Sequence, residues 1–272
     1  MKNSKSSRSL RTVILNAPYT VWSAIFIVVP LGIVLYYAFT DKNGSFSFSA
    51  ISALKDYRYE FGISLLYSLV ATVITLLIGY PFAYFLSRRS AASQRIQSML
   101  VMLPMWMSLL IRTYSWMNLL ERNGIINTLL GKLGISPLQM IGTPGAVILG
   151  MVYNFLPYMI LPVYTVMSKI HPSLLEAAED LGCSGWQKLR RLILPLSLPG
   201  VLSGISMVFV PSVSTFYISQ KLGDGNIIER QMIINNNYNV GASLSLVLMV
   251  LILISMAVVN RFSSGTEGEM IA

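Results

Sequence analysis

Charge is scarce in this sequence. Only 11% of its 272 residues are Asp, Glu, Lys or Arg, whereas a soluble globular domain carries about 25%. So thin a charge cannot cover a water-facing surface on a chain this long, and lipid must do part of the solvating. Cysteine and histidine are rarer still. Cys183 and His171 are the single examples of each, which excludes an intrachain disulfide and a zinc cluster. No Gly-x-x-x-x-Gly-Lys-Ser/Thr occurs, so no loop here cradles phosphate and ATP must be handled elsewhere. The long apolar runs hold no Asp or Glu. With one His, one Cys and no such acid, the chain is poorly equipped for metal or nucleophilic chemistry. Neither enzymatic activity nor a metal or cofactor is expected. The net charge of +9 is no nucleic-acid signal, because the basic residues lie between apolar runs and not in one patch.

What is present is apolar: 54% of residues are hydrophobic and the mean hydropathy is +0.63. Six runs are long enough to cross a hydrocarbon core of about 30 Å, which takes roughly 20 helical residues. They fall at Ala17–Phe39, Gly62–Leu86, Ile96–Leu120, Pro144–Ser168, Leu196–Ile218 and Val240–Asn260, and the third contains Arg112. Their length favours helices, since barrel strands need about 10 alternating residues. The fold class expected is all-α, a polytopic membrane protein with six transmembrane helices spanning residues 17–260. The first run is expected to be a retained anchor and not a signal peptide. Its uncharged stretch extends from Thr12 to Thr40, beyond an h-region of about 7–15 residues, and no clear small-x-small cleavage site follows.

Lys and Arg fall unevenly around these runs. Segments 1–16, 87–95, 169–195 and 261–272 hold twelve of the twenty, and 40–61, 121–143 and 219–239 hold seven. That bias places both termini in the cytoplasm. Seven prolines (Pro30, Pro81, Pro104, Pro157, Pro162, Pro199 and Pro211) stand inside the expected spans. Each removes a backbone donor, and together they favour a protein with an internal path over a passive anchor. Asn123–Leu133, too short to cross, has its apolar residues at helical spacing. It predicts an interfacial helix capped by Asn123 and stopped by Gly134.

The longest loop on the side of the termini carries the most specific signal. It begins His171-Pro172-Ser173-Leu174-Leu175-Glu176-Ala177-Ala178-Glu179-Asp180-Leu181-Gly182 and ends Leu192-Ile193-Leu194-Pro195. Its chemistry predicts a short helix opened by a Ser173/Glu176 capping box and closed by Gly182. About 14 Å long, such a helix cannot span a membrane and gains little stability alone. A lipid-surface role is disfavoured, because Glu179 and Asp180 would be repelled by anionic headgroups. His171 reads as a packing or capping residue and Cys183 as an incidental small one.

This segment resembles the EAA loop of ABC-importer permeases, whose pattern is Glu-Ala-Ala, three residues, Gly, nine residues, Ile, one residue, Leu-Pro. Glu176, Ala177, Ala178, Gly182, Leu194 and Pro195 match at that spacing, and Leu192 stands in place of the Ile. The stretches Leu103-Pro104-Met105-Trp106, Arg112-Thr113-Tyr114-Ser115-Trp116, Val152–Tyr158 and Leu194–Gly200 are similar to the spermidine/putrescine (polyamine) permease branch. The resemblance implies the type I importer (MetI-like) architecture, with residues 169–195 as a coupling loop that docks on an ATPase. It also implies partners: a second homologous permease, an ABC ATPase dimer and an extracytoplasmic polyamine-binding protein. Transport would proceed by alternating access. A secondary transporter would show intramembrane acids or an inverted repeat, and neither is evident.

A path for a polycation that lacks carboxylates must use aromatic rings, amides and carbonyls. Cation–π contacts of about 0.5–2 kcal/mol each guide without trapping. Candidate lining residues are Tyr114, Trp116, Asn118, Tyr153, Asn154 and Tyr158, with Glu121 at the mouth. For each the bland alternative is an interfacial belt anchor. Arg112 would oppose a cation in the path, so a structural role is expected, pairing with Glu121 or with a partner subunit.

Overall fold

The computed structural model describes residues 16–41, 44–48, 52, 55, 58–215, 222–223 and 237–269. The basic tail, most of the loop before the last span and the end of the fifth expected span lie outside them. The helices are α1 (Asn16–Ala38), α2 (Arg58–Ser87), α3 (Ala91–Trp106), α4 (Leu109–Leu120), α5 (Ile125–Lys132), α6 (Pro144–Met167), α7 (Pro172–Asp180), α8 (Gly185–Ser214) and α9 (Tyr238–Glu269). Among the described residues the strand-like pairing is one isolated bridge, Thr40 to Phe46. Five of these helices contain a stretch long and apolar enough to cross a membrane, and the α3–α4–α5 segment makes a sixth if taken as one broken span.

That third span departs from expectation. The axis bends by 88° between α3 and the segment that follows. Pro104 in the last turn of α3 removes a donor and crowds the carbonyl four residues back. Met107 and Ser108 then adopt extended backbone, with ψ of 143° and 135°, before α4 restarts. The fifth span also differs: α8 starts at Gly185, eleven residues before the expected Leu196. Lys188, Arg190 and Arg191 lower the hydropathy of its first turns without disfavouring a helix.

Two helices widen locally to π-type turns, at Ala24–Val28 and Leu189–Ile193. Each stands two residues before a proline, Pro30 or Pro195. A proline ring clashes with the carbonyl of the preceding turn, and one wider turn moves that carbonyl aside. The closing bonds agree, since Val29 N–H donates to Ala24 O and Leu194 N–H to Leu189 O.

The chain divides into two units, Met1–Arg58 with Ile227–Met249, and Tyr59–Asn226 with Val250–Ala272. In the first, α1 buries a single described residue, Ala38, as suits a lipid-facing helix. The end of α1 is tied to the start of α9. Asn239 Nδ2 donates to Tyr37 O and Thr40 O (3.2 and 2.6 Å), and Ser243 Oγ donates to Ala38 O (3.3 Å). Those carbonyls lie where a helix runs out of donors.

In the second unit α6 is the centre. Twelve of its residues are buried, including Met151, Met159, Val163 and Met167. It packs closely on α8 through Gly200 and Gly204. A Cβ on Gly200 would lie 2.9 Å from Pro162 O and 3.1 Å from Val163 Cα, and one on Gly204 would lie 2.7 Å from Met159 Sδ. From α2, Gly79 comes against the same methionine, its absent Cβ 3.1 Å from Met159 Cγ. Gly200-x-x-x-Gly204 is thus the small-residue contact by which helices associate in lipid, where no hydrophobic force separates helix from tail.

A helix, α5, forms where the interfacial one is expected, opened by Gly124 and not by Asn123. A Cβ on Gly124 would sit 2.5 Å from Asn118 O, so the chain passes too close there for any side chain. The polar anchor is Asn127. Its amide donates to Glu121 O and Leu138 O and accepts from Leu138 N–H, all within 3.0 Å.

Candidate functional site

The loop singled out in the sequence folds as a helix, an elbow and the start of a long rod. α7 begins at Pro172, with His171 as its N-cap at ψ 137°. Proline disfavours α backbone in the residue before it and favours the first helical position, so the His-Pro pair fixes this boundary. His171 Nδ1 accepts from Ser173 N–H at 3.3 Å and lies 2.7 Å from Ser173 Oγ. The expected Ser173/Glu176 capping box is therefore displaced by the histidine. A capping box does form one element later, where Ser184 Oγ accepts from Gln187 N–H and Gln187 Oε1 from Ser184 N–H.

Gly182 closes α7 in left-handed backbone, φ +75°. Its N–H donates to Glu179 O (2.8 Å), and Cys183 N–H donates to Ala178 O (2.9 Å). That pair of bonds is a Schellman motif, which only glycine and occasionally asparagine accept without strain. An ion pair between Glu179 and Lys188 spans the elbow; among the described residues it is the one salt bridge.

α7 turns Leu175 and Ala178 toward the bundle, Leu175 packing against the buried core. Glu176 and Ala177 are exposed. So are Leu174 and Leu181, at 47% and 84%. Leu194 and Pro195 stand apart from this face, within α8. Pro195 shapes the rod by forcing the widened turn at Leu189–Ile193.

The path candidates separate into groups. Arg112 and Trp116, one turn apart on α4, face α6, where the Trp116 and Tyr153 rings meet edge-on at 5.3 Å. Asn154 is buried, its amide donating to Gly150 O (2.8 Å) while its Oδ1 has no hydrogen-bond partner among the described residues. Tyr158 packs against Phe155 at 6.2 Å. Tyr114 and Asn118 are exposed on the other face of α4. Glu121, with Arg122, Gln139 and Met140, lines a surface cavity of about 550 Å³. That cavity lies beyond the end of α6 opposite to α7.

Arg112 does not reach Glu121. Nine residues of helix put the two about 13 Å apart along the axis and on opposite faces. Arg112 is 6% exposed, and its Nη1 donates to Asn154 O at 3.5 Å. Among the described residues it has no carboxylate counter-ion, and a buried charge so placed is costly. Replacing Arg112 with leucine is expected to lower the amount of assembled complex recovered from membranes, with the uptake preference of the surviving fraction unchanged. Normal recovery with altered preference would assign Arg112 to selectivity instead.

Five helices long and apolar enough to cross a membrane, and within the second unit a central α6 followed by the short capped α7, are the features of a polytopic membrane protein. Residues 98–266 match the family described as binding-protein-dependent transport system inner membrane component. The chain belongs to that family: it is a multi-pass inner-membrane permease subunit of a binding-protein-dependent importer. It is 36% identical over 256 residues to the spermidine/putrescine transport system permease protein PotB of Haemophilus influenzae, covering 88% of this chain and 90% of the relative. With PotB of Escherichia coli K12 the identity is 32% over 258 residues, covering 89% and 94%. Its fold is that of a chain in a bacterial ABC transporter involved in import of the acidic polysaccharide alginate. That match has a TM-score of 0.76 at 18% identity and covers 95% of this chain and 96% of the other.

Proposed function

We propose that this chain forms half of the translocation path of an ABC importer for polyamines, spermidine and putrescine among them. Similarity to the PotB proteins along most of the chain supports the substrate class. So does a membrane interior that carries aromatic rings, amides and carbonyls but no acid to trap a polycation. Its partners are a second permease of the same family, two copies of an ATPase and an external binding protein. Both termini and α7 face the cytoplasm, a reading that the distribution of Lys and Arg supports.

The coupling of ATP hydrolysis to transport runs through α7. The observation that carries this is the exposed Glu176–Ala177 edge between Leu174 and Leu181, held by a fully capped elbow at the head of α8. ATP binding draws the two ATPases together, α7 follows, and the bundle alternates between outward and inward access. At the other end Glu121 supplies the carboxylate that draws a cation toward the mouth, and Trp116, Tyr153 and Tyr158 offer it ring faces further in.

The test is uptake by the full complex in proteoliposomes loaded with ATP. Import of radiolabelled spermidine is expected to require the binding protein and to fall when unlabelled putrescine is added. Uptake indifferent to both compounds would transfer the assignment to another solute while leaving the permease class intact.

A further inference from the structure

α7 is nine residues long, too short to hold its own shape, yet it must move two long helices if it is the handle. What stiffens it is found on either side of it, in residues outside the Glu-Ala-Ala pattern. On the entry side, the turn between α2 and α3 reaches across to the end of α6. Arg88 Nη2 donates to Met167 O (3.3 Å) and Nη1 to Ile170 O (3.4 Å), the last carbonyls before His171. These carbonyls lie at the negative end of the α6 dipole, where intrahelical donors run out, and Met167 O also accepts a turn bond from Ile170 N–H (3.2 Å). The guanidinium also lies 5.6 Å from the Tyr84 ring centre. Gln94 fixes the turn that presents Arg88: its amide donates to Ser87 O and Arg89 O (3.1 and 2.8 Å) and accepts from Tyr164 of α6 (3.0 Å). On the exit side the elbow between α7 and α8 is closed by the Schellman bonds, by the Ser184–Gln187 box and by the Glu179–Lys188 pair.

We propose that Arg88 and the Glu179–Lys188 ion pair are the two braces that make α7 a rigid continuation of α6 and α8, so that a displacement of α7 moves both helices together. The inference rests on α7 being the coupling helix. These are positioning residues, acting through α7. A solvent-exposed ion pair contributes little to folding. Its effect belongs to force transfer, in transport achieved per ATP.

The experiment uses the whole complex in proteoliposomes, measuring uptake and ATP hydrolysis together for Arg88→Gln, Arg88→Lys, Glu179→Lys, Lys188→Glu and the double swap Glu179→Lys/Lys188→Glu. Arg88→Gln and each single reversal are expected to lower uptake per ATP hydrolysed about threefold at unchanged complex yield, and the swap to restore it to within about twofold. Arg88→Lys keeps the charge but not the two-pronged donor, and should fall between. It carries the same test should Arg88→Gln not assemble. Unchanged uptake per ATP in the single variants, or a swap no better than either single reversal, would overturn the proposal. Gly182→Glu run in parallel separates the two levels. If that variant uncouples while the brace variants do not, the braces alone are refuted. If Gly182→Glu transports normally, α7 is not the handle.

Discussion

Gly200→Leu is expected to deplete the membrane of folded chain. The position lies on the face of α8 that meets α6, and any Cβ there meets backbone, 2.9 Å from Pro162 O and 3.1 Å from Val163 Cα. Backbone cannot rotate away as a side chain can, so the helices must separate. In lipid their association depends on that close approach. Even Gly200→Ala should cost about 1–3 kcal/mol, the usual penalty of overpacking, and lower the melting temperature of the purified complex by roughly 5 °C. Gly204→Ala should be milder, because its nearest neighbour is the mobile Met159 Sδ at 2.7 Å. Gly62→Ala, with nothing within 4 Å of its Cβ, serves as the neutral control. Wild-type yield and melting for Gly200→Leu would mean that α6 and α8 are held by something other than this contact.

The second large effect is on function without folding. Gly182→Glu should leave the complex assembled and hydrolysing ATP while uptake falls about tenfold or more, the equivalent of roughly 1.4 kcal/mol of lost coupling. Nothing lies within 4 Å of the missing Cβ, so the substitution creates no clash inside the chain. Its internal cost is the left-handed backbone, about 1–2 kcal/mol. What it does create is a charged side chain at the end of the exposed Glu176–Ala177 edge. Gly182→Asn relieves both at once, because asparagine tolerates the left-handed turn and carries no charge. Rescue by Asn would show that an uncharged side chain compatible with the turn suffices. Failure of Asn would show that the ATPase needs a bare backbone there. Coupled uptake by both variants would remove α7 from the mechanism.

Much of this architecture could be read from hydropathy, because a long acid-free run has few options in a chain so poor in charge. The spans expected at Gly62–Leu86 and Pro144–Ser168 coincide with helices within a few residues. Where the expectations failed, the cause was a local detail that averaging erases. Two extended residues, Met107 and Ser108, break the third span, yet a window of twenty apolar residues does not register them. The early start of α8 was masked by Lys188, Arg190 and Arg191, since hydropathy scores solvent preference and not backbone form.

The capping of α7 was legible but misread. Ser173 and Glu176 have the right spacing, but Pro172 before them had already decided that His171 is the cap. Gly200-x-x-x-Gly204 was in plain view in the sequence and went unused. Arg88, Gln94 and Lys188 gave no signal at all, because their roles depend on which helix end lies next to which. The path candidates divide by helix face. Trp116 and Asn154 turn inward and Tyr114 and Asn118 outward, a separation that required knowing which side of α4 meets α6.

The elbow that closes α7 also contains the chain's only thiol. Cys183 is partly exposed, and the backbone on either side of it is fixed by the bonds already described. A maleimide fluorophore or nitroxide can therefore be attached there without first removing other cysteines. Such a label would report the movement of this corner through each turnover in the unaltered sequence.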